Sequence, residues 1–131
     1  MSMQTQLRRV RHLGAAHDGT GDFWRQRLTG AASAILTVFF LGILMATAGQ
    51  PLDHVVVVLH MPLVAAPLAI FIVAVAIHMH IGMQIVIEDY IQGSALKVVC
   101  IVANTFFSVA IAAVGLIAIV MLAFGGPPPN G

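Results

Sequence analysis

Polar residues are concentrated in the first 27 positions and in two short breaks, and between those breaks the chain is apolar. A bilayer core of ~30 Å needs about 20 apolar residues at 1.5 Å rise each. The uninterrupted runs meet that length, so the pattern predicts an all-α membrane protein with three transmembrane helices. The first is expected over 28–48. The second is harder to start, because 55–87 carries no Asp, Glu, Lys or Arg but is interrupted by His60, Pro62 and Pro67. Proline is tolerated in a first helical turn, which places this span over 62–87. The third is expected over 98–124, closed by Gly125, Gly126 and three prolines that cannot continue a helix. The resulting organisation is an N-terminal arm over 1–27, a transmembrane domain over 28–124 and a flexible tail over 125–131.

Composition removes other classes. The chain is 60% hydrophobic and 8% charged, against roughly 45–50% and ~25% in soluble domains, so a soluble globule is excluded. Six Lys+Arg against five Asp+Glu give a net charge of +1, which offers no basic face for nucleic acid. Cys100 is alone, so no disulfide framework or CxxC site can form. With 131 residues, mostly in spans, the chain has no room for a catalytic domain and reads as a subunit of a larger complex.

Charge position sets the topology. Arg8, Arg9, Arg11, Arg25 and Arg27 precede the first span, Lys97 lies in the second connection, and the first connection and the tail carry no Lys or Arg. The positive-inside rule then places the N-terminus and the 88–97 connection in the cytoplasm, with 49–61 and the C-terminus outside. Ala46-Thr47-Ala48 resembles a signal-peptide cleavage site. The apolar run before it exceeds the 7–15 residues of a signal h-region, so it is read as a retained span.

Ionisable residues inside a span are costly, and each is a candidate for function. His78 and His80 lie in the second span; two positions apart, they point about 200° away from each other. His78 forms a stripe with Gly82, Ile85 and Asp89, along which a flat ligand can lie. A haem has that flatness, takes an imidazole nitrogen on its iron and benefits from a glycine one turn away. The alternative is a histidine hydrogen-bonded to a neighbouring helix. The second span ends in Glu88-Asp89-Tyr90, where acids oppose the helix dipole unless a cation such as Lys97 or Arg27 compensates. Tyr90 is either an interfacial aromatic or a donor to a quinone carbonyl. Arg25 and Arg27 suit topology setting and snorkelling, and Arg27 can also bind an anion such as a haem propionate. Trp24 reads as an interfacial anchor. Asn104, Ser108, Ala112 and Gly115 line one face of the third span as a helix-packing stripe, and Gly30 and Ala34 offer similar close approach in the first. His54 and His60 are expected to be solvated in the first connection.

Three segments together resemble a known family: Phe23-Trp24-Arg25-Gln26-Arg27-Leu28-Thr29, His78-Met79-His80-Ile81-Gly82-Met83-Gln84 and Glu88-Asp89-Tyr90. They are similar to the small hydrophobic membrane-anchor subunit of succinate dehydrogenase, respiratory complex II. The resemblance covers most of the chain. It implies half of a six-helix, two-subunit anchor that shares one haem b with a second membrane anchor subunit (cytochrome b). It also implies docking of an iron–sulfur subunit and a flavoprotein subunit, which carry the iron–sulfur clusters and FAD. His78 matches the haem axial ligand on the iron, the other coming from the partner anchor. Arg27 matches an arginine near the haem propionates, and Asp89 and Tyr90 match the quinone-site pair. Where some members place a histidine directly before Asp-Phe, this chain has Gly21, and His17 is the only nearby substitute for a propionate contact.

The reading is therefore an anchor of succinate:ubiquinone oxidoreductase in the electron transport chain and tricarboxylic acid cycle, with no complete active site on this chain. The expected location is the bacterial inner membrane, the mitochondrial inner membrane being the alternative. The rivals are the anchor of a fumarate reductase or another haem b quinone oxidoreductase, and a small non-haem membrane protein, for assembly or for a proton path through His78, His80 and Asp89.

Overall fold

The structure, a computed structural model, describes residues 16–125. The expectations for the arm before residue 16 and for the tail after residue 125 lie outside the described residues. Four helices make up the described chain: α1 (Ala16–Thr47), α2 (Leu52–His60), α3 (Pro62–Tyr90) and α4 (Ser94–Phe124), with no strand among the described residues. Three of them, over Thr20–Thr47, Pro62–Tyr90 and Ser94–Phe124, are long and apolar enough to cross a membrane. The molecule is an all-α membrane protein of three candidate spans.

Helix boundaries differ from the apolar runs. The first helix is already formed at Ala16, twelve residues before 28, so the described part of the arm is helical and continuous with the span. Local pairs support this polar extension: Arg25 lies 3.8 Å from Asp22 at i,i+3, and the Arg27 guanidinium sits 4.6 Å from the centroid of the Phe23 ring at i,i+4. Hydropathy marks where a helix meets lipid and is silent on turns that continue into water. Just past the end of α1 comes Gly49, whose φ of 77° is open to glycine and strained for other residues.

The first connection contains α2, which the apolar pattern does not separate from the second span. Pro51 precedes it and Asp53 lies in its first turn, near the positive end of the helix dipole. His60, expected to be solvated, instead donates from Nε2 to the Gly125 carbonyl at the end of α4. The reason is that the end of α2 lies beside that helix end, where a free carbonyl needs a donor. Helix α3 follows with Pro62 in its first turn, where the missing N–H would have had no partner in any case.

Helix α3 is central. It runs antiparallel to both α1 and α4, and the Cα atoms of α1 and α4 stay more than 8 Å apart along their whole described length. The buried residues follow from this arrangement: Ala65, Leu68, Ala74, Ala76, Ile81 and Ile87 on α3, Asn104 and Ser108 on α4, and none on the described part of α1. Toward its C-terminal end, α1 meets α3 through Phe40 stacked on Phe71 at 5.5 Å. The α3–α4 seam uses the packing stripe read from the sequence. Asn104 and Ser108 are buried in it, and a Cβ on Gly115 would lie 2.9 Å from Cδ1 and 3.0 Å from Cγ2 of Ile72.

Gly115→Leu should therefore destabilise the protein by about 1–3 kcal/mol through overpacking, seen as a lower thermal midpoint in detergent. Val114→Leu, at a position 68% exposed, should leave the midpoint unchanged.

Candidate functional site

The N-terminal half of α1 and the C-terminal half of α3 meet around His78. Its imidazole lies against the backbone of α1 because position 30 is glycine: a Cβ there would sit 3.0 Å from Cε1 and 3.3 Å from Nδ1 of the ring. His78 Nδ1 is 3.2 Å from the Gln26 carbonyl oxygen. A carbonyl only accepts, so Nδ1 carries the proton and donates. The hydroxyl of Thr29 lies 3.5 Å from the same nitrogen. Thr29 gives its own proton to the Arg25 carbonyl at 2.6 Å, leaving its oxygen to accept. In this tautomer Nε2 keeps its lone pair, and it makes no hydrogen bond with any described residue.

Two positions on, His80 is held from the other side. The Asn104 amide donates to the His80 carbonyl at 2.9 Å and to its Nδ1 at 3.2 Å. An amide nitrogen donates only, so Nδ1 of His80 is bare and the proton is on Nε2. The two histidines thus diverge as their spacing requires, His78 toward α1 and His80 toward α4, and they carry opposite tautomers.

The stripe on α3 faces α1 through His78, Gly82 and Ile85. Gly82, expected to make room for a flat ligand, makes room for Gln26, whose Nε2 would lie 3.2 Å from a Cβ at that position. The Oε1 of Gln26 is buried without a hydrogen-bond partner. Beyond this point α1 and α3 separate into a cleft of about 470 Å³, lined by Asp22, Phe23, Gln26, Arg27, Ile85 and Glu88. Arg27 faces this cleft with no carboxylate partner among the described residues, since the ion pair of the region belongs to Arg25.

Asp89 and Tyr90 end α3 and are exposed, Tyr90 by 82%. Neither makes a hydrogen bond or an ion pair with a described residue, and neither lines the Arg27 cleft. Their neighbour Glu88 accepts from Gln84 Nε2 at 2.9 Å, and its carbonyl accepts from Lys97 Nζ at 3.1 Å. Lys97 is thus the cation that offsets the acidic end of α3. Trp24 is exposed and meets Phe23 edge-on at 6.3 Å. His17 lies on the described part of α1, and the propionate contact expected of its side chain lies outside the described residues. Along a continuous helix it is about 15 Å from Arg27.

Within this chain the structure brings His78 together with Gln26, Thr29 and Gly30, places Arg27 one cleft away and leaves Asp89 and Tyr90 on the surface. The sequence pattern does not single out Gln26, Thr29, Gly30 and Asn104 as partners of the histidines. A signal for the α1 group exists as polar or small residues at helical spacing on one face, 26, 29, 30 and 33. No group of three or more His, Cys, Asp or Glu able to hold a metal occurs among the described residues. The donor set for a metal-bearing cofactor here is a single imidazole nitrogen. That fits half of a haem site: Nε2 of His78 has its lone pair free, and its other nitrogen is oriented by a carbonyl, as ligating histidines require.

Comparison with known proteins gives the family. The profile of the succinate dehydrogenase/fumarate reductase transmembrane subunit matches residues 1–124. The chain is 27% identical over 113 residues to the succinate dehydrogenase hydrophobic membrane anchor subunit of Paracoccus denitrificans, covering 86% of this chain and 87% of that one. It is 26% identical over 106 residues to the subunit of the same description in Rickettsia bellii (strain RML369-C), covering 81% and 85%. No solved structure matches at a comparable level. With the profile spanning nearly the whole sequence and three apolar helices in place, the chain belongs to the succinate dehydrogenase/fumarate reductase transmembrane subunit family.

Proposed function

We propose that this chain is the hydrophobic membrane anchor of a succinate:ubiquinone oxidoreductase, and that His78 would hold the iron of a haem b shared with a partner while other residues form part of a quinone site. The observation that carries the reading is His78: its Nδ1–H is tied to the Gln26 carbonyl and its Nε2 is free to coordinate. When bound, haem b supplies a one-electron carrier. The residues of this chain hold and orient: His78 presents the nitrogen, and Arg27, without an acid partner among the described residues, offers its guanidinium to a propionate. Tyr90 offers a phenol O–H to a quinone carbonyl, and Asp89 beside it orients the headgroup or passes a proton. Their exposure supports a pocket completed by other subunits.

In this reading the N-terminus and the short connection between α3 and α4 face the cytoplasm of a bacterial cell. The iron–sulfur and flavoprotein subunits dock there, a second anchor subunit completes the haem site, and succinate is oxidised on those partners. Both relatives described above are succinate dehydrogenase anchors, which favours succinate oxidation over fumarate reduction. A proton path through His78, His80 and Asp89 is disfavoured, because the two histidines bond to different helices and Asp89 bonds to neither.

Two experiments on the assembled, purified complex test this. In a reduced-minus-oxidised visible spectrum, the wild type should show a b-type haem. His78→Ala should abolish the low-spin signal and His80→Ala should largely preserve it; equal effects would overturn the assignment. Tyr90→Phe removes one hydrogen bond with little change of shape, worth roughly 0.5–1.5 kcal/mol. Quinone reduction should fall several-fold, while succinate oxidation by an artificial acceptor that draws electrons from the partner subunits should not change. Unchanged quinone reduction would make Tyr90 an interfacial aromatic only.

A further inference from the structure

His78 and His80 are the same residue type on the same helix, yet the flanking helices leave them with different nitrogens protonated. The difference at His78 is built by α1. Glycine at position 30 lets the ring lie this close to the α1 backbone, because a Cβ would sit 3.0 Å from Cε1 and 3.3 Å from Nδ1 and the ring would have to give by a few tenths of an ångström. At that closeness Nδ1 reaches the Gln26 carbonyl at 3.2 Å. Thr29 adds a second acceptor: its proton is committed to the Arg25 carbonyl at 2.6 Å, so the oxygen 3.5 Å from Nδ1 presents lone pairs. Had the proton been on Nε2, the bare Nδ1 would face the Gln26 carbonyl with nothing to share, and Thr29 could donate to it only by giving up the Arg25 carbonyl, a mismatch in a part-buried site. The tautomer with a free Nε2 is thus enforced from α1.

We propose that Thr29 and Gly30 are positioning residues for the iron-ligating nitrogen of His78: Gly30 sets the depth of the ring and Thr29 helps to fix its tautomer. The proposal rests on the haem reading given above. The contrast at His80 shows what the seat does. There a donor, the Asn104 amide, meets Nδ1, and the proton is driven to Nε2, where an N–H cannot coordinate. Acceptors near Nδ1 also raise the basicity of the ligating nitrogen, which favours the more highly charged ferric state of an iron it binds. The seat therefore bears on reduction potential as well as on occupancy.

The test uses the assembled complex carrying Thr29→Val, Thr29→Ser or Gly30→Ala, with haem content read from the reduced-minus-oxidised spectrum and the haem midpoint potential from a redox titration. Gly30→Ala should push the ring off the Gln26 carbonyl, weaken haem retention by about 10–100-fold and move the midpoint to more positive values. Thr29→Val should move the midpoint in the same direction by less, with haem retained, and Thr29→Ser should return it to the wild-type value. A role confined to helix packing would lower thermal stability without moving the potential, and that outcome overturns the proposal. If Gly30→Ala does not assemble, Thr29→Val, nearly identical in shape to the native residue, decides alone: a wild-type midpoint overturns the proposal while leaving the haem reading intact. A wild-type complex with no haem spectrum overturns that reading, and this proposal with it.

Discussion

Helix α3 is held on both sides by helices whose backbones do not approach each other, and each seam has a histidine in its C-terminal half. In lipid the hydrophobic effect does not drive helices together, so a seam needs close-fitting small residues and interhelical hydrogen bonds. Both are present twice. Toward α1 the pairing is Gly30 with His78 and Gly82 with Gln26; toward α4 it is Asn104 with His80 and Gly115 with Ile72. Two positions along a helix diverge by about 200°. An His-x-His step can therefore fasten one helix to two others, and the arrangement of the three spans depends on it.

The same constraint accounts for what the chain leaves undone. Because α1 and α4 stay apart, the three spans form an open layer with long apolar flanks, such as Ile35 and Val38 on α1 and Val102 and Phe106 on α4, all exposed. The polar candidates near the start of α1 and the end of α3 are also incomplete. Arg27 faces a cleft without a carboxylate partner among the described residues, and Tyr90 projects into open space. A family whose members are subunits of an enzyme complex accommodates such a chain naturally.

Much of this is legible in the sequence because lipid imposes a simple code. Apolar length marks the spans, and the steps of four, four and three from Asn104 to Gly115 mark the face of α4 that packs. The divergence of His78 and His80 follows from two residues of helical twist. Other features do not follow. Hydropathy reports contact with lipid, so it misses both the helical turns before residue 28 and the separate helix α2. His60 looks like a solvated side chain because nothing local predicts that the Gly125 carbonyl, 65 residues away, comes within reach. Gly82 points to a close approach but not to its occupant, since a glycine records absent volume and Gln26 fills it from another helix. The tautomers are invisible for a similar reason: they are set by a backbone carbonyl on one side and by a side-chain amide on the other, and neither partner is a sequence neighbour.

The length of α1 has a mechanical consequence. Its 32 residues span about 48 Å, well beyond a hydrocarbon core of ~30 Å. The turns bearing Asp22, Phe23 and Arg25 are thus the rigid outboard end of the rod that carries the Gln26 carbonyl, not a tether. A rod transmits torque: twisting α1 by a single residue step turns every side chain on it by about 100°. Any rotation imposed on the polar turns around Asp22 and Arg25 is therefore passed along the rod to the carbonyl beside His78, four residues or fewer away.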